Sequence, residues 1–245
     1  MTLPPVRRQT VVGGDPATAY DLFVRDIGTW WPVRSFGCFG AGSSVRLDGE
    51  RFVETGHDGQ TATWGTLTAA EPPRRVAFTW HPGRDEAEAC DVTVTFVPVG
   101  DATLVTLEHV GWEVYPDPTA ARTRHLDGWG TVLDRYADAA PTGGDGGPLW
   151  FVLQHTAGPA TGPEGVFASP DFPKHVQFLR GLHAAGTLVA AGPLPDEVGA
   201  GMTVVRVPDV EAARRTVRAA QTEDGAVLAG LLDVRVRPWA VVMSA

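Results

Sequence analysis

Between Asp138 and Pro148 the chain reads DAAPTGGDGGP, with four Gly, two Pro and no large apolar side chain. Such a run has nothing to bury, so it behaves as a flexible linker and one core cannot continue across it. This feature predicts two domains, over residues 1–140 and 149–245, joined by a Gly/Pro-rich linker over 141–148. With 245 residues, 43% hydrophobic and 20% charged, the chain has enough material for two ordinary cores.

In the first domain, Asp15 precedes Pro16 in DPATAYDLFVRDI, an N-cap followed by a proline at the first helical position, so a short helix starts there. Beyond GTWWPV the pattern changes to alternation. SVRLDG, RFVETG, ATWGTLTAAEPP, RRVAFTWHPG, DVTVTFVPVG and TLVTLEHVGW read as half-buried antiparallel strands with tight turns. In two of them Val76, Phe78 and Trp80, and Val92, Val94 and Phe96, each share one face. TAARTRHLDGWGTVLDRYADAA then places Leu126, Trp129, Leu133, Tyr136 and Ala140 at helical spacing, so a long helix lays an apolar stripe on the sheet. Six tryptophans fall in this domain: Trp30, Trp31, Trp64, Trp80, Trp112 and Trp129. Side chains of this kind either fill a core or line an apolar pocket between sheet and helix.

Charge and composition exclude several roles. The formal net charge is -9 and neither half carries a basic excess, so no nucleic-acid partner is expected. No apolar run approaches the roughly 20 residues that span a bilayer, and MTLPPVRRQT lacks the apolar core of a secretory signal. The expected setting is cytoplasmic with no membrane partner, and Cys38 and Cys90 are read as free thiols. Glu108 and His109 are strand neighbours and face opposite ways, so they form no acid/base pair. His81, His109 and His125 have no ligand spacing such as H-x-x-x-H; neither a metal nor another cofactor is expected.

The elements DIGTWWP, WGTLTAAEPPRRVAFTWHPG, DVTVTFVPVGDATLVTLEHVGW and GWGTVLDRYADA resemble the START-like, polyketide-cyclase-like helix-grip (SRPBCC) superfamily. Within it they are similar to the branch named after the activator of Hsp90 ATPase, over roughly residues 5 to 140. The resemblance implies a helix-grip fold, an antiparallel sheet wrapped on a long C-terminal helix, with a cavity for a small hydrophobic or amphipathic molecule. Trp31, Trp64, Trp80, Trp112 and Trp129 are the candidate ligand-binding residues. The chaperone role in the branch's name has no testable counterpart in the sequence, and fold alone fixes no reaction.

In the second domain LWFVLQHT reads as a strand, FPKHVQFLRGLHAAG as a helix, TLVAAGPL as a buried strand and GMTVVRV as another. DVEAARRTVRAAQ, with Val210, Ala213, Val217 and Ala220 on one face, reads as a second helix, and GLLDVRVRPWAVV as the last strand. The order βαββαβ predicts a ferredoxin-like α+β unit with helices on one side of its sheet. The other face needs cover, which predicts a homodimer through this domain. On the first helix His175 and His183 both flank the apolar stripe; eight residues apart, they lie about 12 Å apart along the axis and cannot share a metal ion.

HVQFLRGLHAAGTLVAAGPL and the later DGAVLAGLLDVRVRPW are similar to the YCII-related dimeric ferredoxin-like family. That resemblance implies an active-site histidine opening the helix and an aspartate before the last strand. The matching residues are His175 and Asp224, and His183 falls at a solvent-facing place. A carboxylate on one ring nitrogen fixes the tautomer and raises the basicity of the other, making a general base. The family continues after its aspartate with Pro and an aromatic, whereas this chain has Gly225 and Ala226, which loosens the loop, and Glu223 is an alternative carboxylate. Two functions follow. One is a carrier or sensor of a small hydrophobic molecule, favoured by the lack of a nucleotide-binding glycine fingerprint or nucleophile elbow. The other is an enzyme in which His175 and Asp224 move a proton on a small cyclic metabolite, as in isomerisation, lactone chemistry or dehydrochlorination.

Overall fold

The structure, a computed structural model, describes residues 3–144 and 146–243, so Asp145 of the expected linker lies outside the described residues. The chain forms two compact units, Met1–Val97 with Val105–Pro141, and Pro98–Leu104 with Thr142–Ala245.

The first unit contains β1 (Val6–Gly13), α1 (Pro16–Val24), α2 (Ile27–Trp30), α3 (Val33–Phe36), β2 (Ser44–Asp48), β3 (Arg51–Thr55), β4 (Thr61–Glu71), β5 (Arg75–Trp80), β6 (Cys90–Val99) as far as Val97, β7 (Ala102–Val110) from Val105, and α4 (Pro118–Ala139). Its seven-stranded sheet has the order β1-β7-β6-β5-β4-β3-β2, so β1 closes beside β7 and the remaining strands follow as a meander. The sheet curls where register shifts interrupt β3–β4 at Phe52/Val53 and β4–β5 at Leu67/Ala69. Gly65 sits at this bend, and any side chain there would collide with the Thr79 carbonyl, so glycine is what lets β4 approach β5.

Helices α1 and α4 both start at a capping aspartate, Asp15 as expected and Asp117 two residues before the TAARTRH run. Asp15 accepts the Thr18 N–H at 2.8 Å and Asp117 accepts the Ala120 N–H at 3.0 Å, each before a proline. Trp129, Val132, Leu133, Tyr136 and Ala137 form the buried side of α4, while Leu126 is half-buried and Ala140 lies just past the helix end. Tyr136 ties this helix to α1 by donating to the Ala19 carbonyl at 2.8 Å. The unit is thus α+β, a curled antiparallel sheet held against a helix.

The second unit contains β8 (Leu149–Ala157), α5 (Phe172–Ala184), β9 (Leu188–Pro193), β10 (Gly201–Val207), α6 (Val210–Thr222), α7 (Gly225–Leu228) and β11 (Leu232–Pro238). The four strands are antiparallel in the order β11-β8-β10-β9. Leu149, Phe151, Leu153 and His155 alternate as the buried side of β8, meeting Val234 and Val236 of β11 and Thr203 and Val205 of β10 in register. One expectation is corrected: TLVAAGPL is not a buried strand. Its residues form β9, which among the described residues pairs only with β10, and Val189 to Pro193 are exposed. A continuous apolar run looks the same in an edge strand and a central one, which is why pattern alone misplaces it. Among the described residues no helix is long and apolar enough to cross a membrane.

Candidate functional site

Each unit has a cavity with its own chemistry. In the first unit a cavity of about 440 Å³ is lined by Trp31, Phe36, Trp80, Trp129 and Val132, with Cys38, Arg124 and His125 as polar wall. Of the five candidate tryptophans, Trp31, Trp80 and Trp129 line it, with ring centroids 5.3–5.8 Å apart. Trp64 lies one layer behind, 5.0 Å from Trp31, fully buried, and its N–H donates to Glu54 Oε2 at 2.9 Å. Trp112 is buried against His109 and His125.

Of the three histidines weighed as ligands in this unit, His81, His109 and His125, two meet. His109 and His125 stack edge to face at 4.9 Å, whereas His81 Nδ1 lies 3.2 Å from the Arg84 carbonyl. Burial, helped by the neighbouring His125, drives the His109 pKa down to about 2, so the ring is neutral and its Nδ1 accepts the Trp129 N–H at 3.0 Å. Glu108, on the other face of β7, pairs with Arg7 at 2.7 Å. Burial also lowers the pKa of His125, whose Nδ1 donates to the Ala121 carbonyl at 2.8 Å. Glu54 shapes the rim. Burial alone would raise its pKa, but hydrogen bonds from Ser43, Cys38, Phe39 and Trp64 outweigh that and hold it below the ordinary carboxylate value. Its oxygens accept the Cys38 and Phe39 N–H groups at 2.6 and 3.1 Å. Desolvation and the Glu54 charge together push the Cys38 thiol up to about 11.

The second unit has a smaller cavity, about 140 Å³, between α5 and the sheet, with Phe167, Phe172, Leu179 and Met202 in its wall beside His155 and His175. His175 is in the first turn of α5, buried on the side facing the sheet, and His183, in the last turn, is exposed. Asp224 closes α6 and caps α7, its Oδ1 accepting the Ala226 N–H at 3.0 Å. Its Oδ2 lies 2.6 Å from His175 Nδ1, and both side chains are buried. Glu223 is exposed at the end of α6. Ala226 is fully buried in a cluster with Val166, Leu231 and Leu232, so the segment after Asp224 is held by packing, with Gly225 and Ala226 in place of a Pro and an aromatic.

A third residue belongs to this group. His155 stacks on His175 at 4.6 Å, its Nε2 is 3.8 Å from Asp224 Oδ2, and that nitrogen is buried without a partner. Desolvation, and then the neighbouring His175, lower its pKa to about 4, so it is neutral. Its signal is in the sequence: the inward side of LWFVLQHT reads Leu149, Phe151, Leu153, His155, a histidine where alternation calls for another apolar residue.

A curled sheet on a long helix, with an apolar cavity lined from both, defines the first unit as an α+β ligand-binding fold. The family described as activator of Hsp90 ATPase homolog 1-like protein matches residues 17–140, and the chain belongs to it. This family binds small hydrophobic ligands. Among solved structures, an anthrahydroquino-γ-pyrone synthase complex is 29% identical, covering 56% of this chain and 97% of its own, with a TM-score of 0.41. A protein from Chromobacterium violaceum is 17% identical over 56% and 98% of the two chains, with a TM-score of 0.41. The Aha1 dimer from Colwellia psychrerythraea is 15% identical over 56% and 96%, with a TM-score of 0.39. None of the curated proteins compared matches the chain.

Proposed function

We propose that the protein is a carrier or sensor that holds a small, flat, largely apolar molecule between Trp31, Trp80 and Trp129. The observation that carries this reading is the cavity of about 440 Å³ lined by these three rings, a volume within the range of small-molecule sites. The indole faces favour an aromatic or polycyclic guest, and Arg124 at the wall favours a phenolate or carboxylate on its rim. The test is titration with anilinonaphthalene sulfonate, followed by displacement with a panel of aromatic acids and phenols. Saturable one-to-one binding that quenches tryptophan emission is expected; failure of every compound to displace the fluorophore would overturn the reading.

A second reading rests on the 2.6 Å bond between His175 and Asp224. The second domain, over 149–245, is then a YCII-related ferredoxin-like unit, which the βαββαβ order and the β11-β8-β10-β9 arrangement support. Asp224 accepts the Nδ1 proton, which leaves His175 Nε2 as the lone pair that removes a proton from a carbon beside a carbonyl or a leaving group. A cavity of about 140 Å³ holds roughly one six-membered ring, in keeping with isomerase, lactone or dehydrochlorination chemistry on a small cyclic metabolite. His175→Ala should abolish turnover of such a substrate; undiminished turnover sinks the assignment. The exposed apolar side chains Val189 and Met202 support a homodimer through this domain. Light scattering should read twice the chain mass, reduced to one chain by Val189→Glu.

A further inference from the structure

The sequence offers no metal-ligand spacing, but the fold of the second unit brings ligands together from three separate elements. His155 stands on β8, His175 on α5, and Asp224 at the start of α7. One donor atom of each lies within 4.8 Å of the other two, and all three residues are buried. Asp224 Oδ2 is the shared point, 2.6 Å from His175 Nδ1 and 3.8 Å from His155 Nε2.

Three observations call for a cation at this point. His155 Nε2 is enclosed without a hydrogen-bond partner, an expensive state for an imidazole nitrogen unless something else occupies its lone pair. Asp224 is completely buried, and its ion-pair partners among the described residues are these two imidazoles. The adjoining cavity, which both histidines line, leaves room for a further ligand. The distances also suit an ion. Donors around a tetrahedral zinc sit about 3.3 Å apart, a value that follows from bond lengths near 2 Å. The two Asp224–histidine separations of 2.6 and 3.8 Å bracket it, and the two imidazole donors, within 4.8 Å of each other, draw together as the ion binds.

We propose that His155, His175 and Asp224 form a three-ligand site for a divalent transition-metal ion of the zinc class, with its fourth position open to the apolar cavity. Two imidazoles and one carboxylate select zinc, cobalt or nickel over magnesium and calcium, which demand oxygen. On binding, the ion takes the place of the proton shared between His175 and Asp224, and that proton passes to solvent. Three protein ligands with an open position are the arrangement of catalytic rather than structural zinc, able to polarise a carbonyl or activate a water. The site goes beyond the proton-transfer reading, and because binding is measured without substrate, failure of either is a separate result.

The test uses the full chain, stripped with chelator and titrated with Co²⁺, read by visible absorption and by competition with Zn²⁺. One ion per chain with tetrahedral-type absorption is expected. His155→Gln and Asp224→Asn should each weaken binding by about tenfold or more, with far-UV circular dichroism unchanged, and His183→Ala should leave it as it was. No saturable binding up to about 1 mM, or loss of binding with His183→Ala and not with His155→Gln, overturns the proposal. If His155→Gln does not fold, X-ray absorption of the zinc-loaded chain decides: two imidazoles support the site, and fewer overturn it.

Discussion

Among the described residues each unit buries one carboxylate completely, Glu54 in the first and Asp224 in the second, and the two are used differently. Glu54 is surrounded by donors that cannot change charge: the N–H groups of Cys38, Phe39 and the Trp64 indole. They pull its pKa down and lock the rim of the tryptophan cavity, so its work is structural. Asp224 receives one backbone N–H and turns its other oxygen to two imidazoles beside a cavity. Similar burial with different neighbours gives a scaffold in one case and a reactive cluster in the other. What separates a structural buried acid from a functional one is whether its partners can exchange protons or bind a metal ion.

The sharpest way to break this comparison is to remove each acid. Glu54→Ala strands three N–H donors at once, each worth about 1–3 kcal/mol when left unpaired, so the first unit should lose about 3 kcal/mol or more. Asp224→Asn keeps an oxygen for the Ala226 N–H and should cost about 1 kcal/mol or less. Urea unfolding followed by tryptophan emission for the first variant and by circular dichroism for the second measures both. Equal losses would erase the distinction.

Acid sharpens it further, because His109, His125 and Glu54, all in the first unit, have depressed pKa values. A group of this kind contributes stability above its unfolded pKa and loses it as pH falls toward the folded value. For His109 that window runs from 6.5 down to about 2, and for Glu54 it opens below 4.5. The tryptophan signal of the first unit should therefore lose stability below about pH 6.5. His109→Phe should flatten the upper part of that slope, and Glu54→Gln the part below 4.5. The check is a series of urea midpoints between about pH 7 and 4; unchanged slopes in both variants would remove these groups as the cause.

Much of the first unit is legible from residues alone. The alternation in RVAFTW and DVTVTF fixes which faces are buried, and Asp15-Pro16 marks where α1 starts. Alternation does not give depth, so Trp64 and Trp112 read like Trp31 and Trp80 although they sit behind the cavity wall. In the second unit, periodicity places β8 and α5, but it cannot tell the edge strand β9 from a central one. His175 and Asp224 are 49 residues apart and no local rule joins them; a family resemblance nominates the pair. His155 has a local signal, a histidine at an inward strand position, and it gains chemical meaning only when α5 and α7 are folded over it.

Filling the larger cavity tests whether volume or chemistry defines the first site. Val132, 2% exposed on α4 and part of the cavity wall, can be enlarged to Trp. Since the added rings enter empty space, Val132→Trp should change stability by no more than about 1–2 kcal/mol. Affinity for anilinonaphthalene sulfonate should fall by about tenfold or more, as the guest loses its place between the indoles. Binding of Co²⁺ should not change, since His155, His175 and Asp224 all belong to the second unit. A Val132→Trp protein that binds the fluorophore as tightly as before would move the ligand site elsewhere.

The smallest effect is expected at His183, and its smallness is informative. His175 and His183 share α5 and flank the same apolar stripe, yet the first is buried against the sheet with Asp224 at 2.6 Å and the second is exposed in the last turn. An exposed residue in that position contributes at most a favourable contact with the helix C-terminus, a few tenths of a kcal/mol. Alanine, the best helix former, offsets even that. His183→Ala should therefore leave the urea midpoint, the Co²⁺ affinity and any His175-dependent turnover unchanged. If it lowered turnover while His175→Ala did not, the asymmetry of this helix would be reversed, and the reactive cluster would have to be sought on its exposed end.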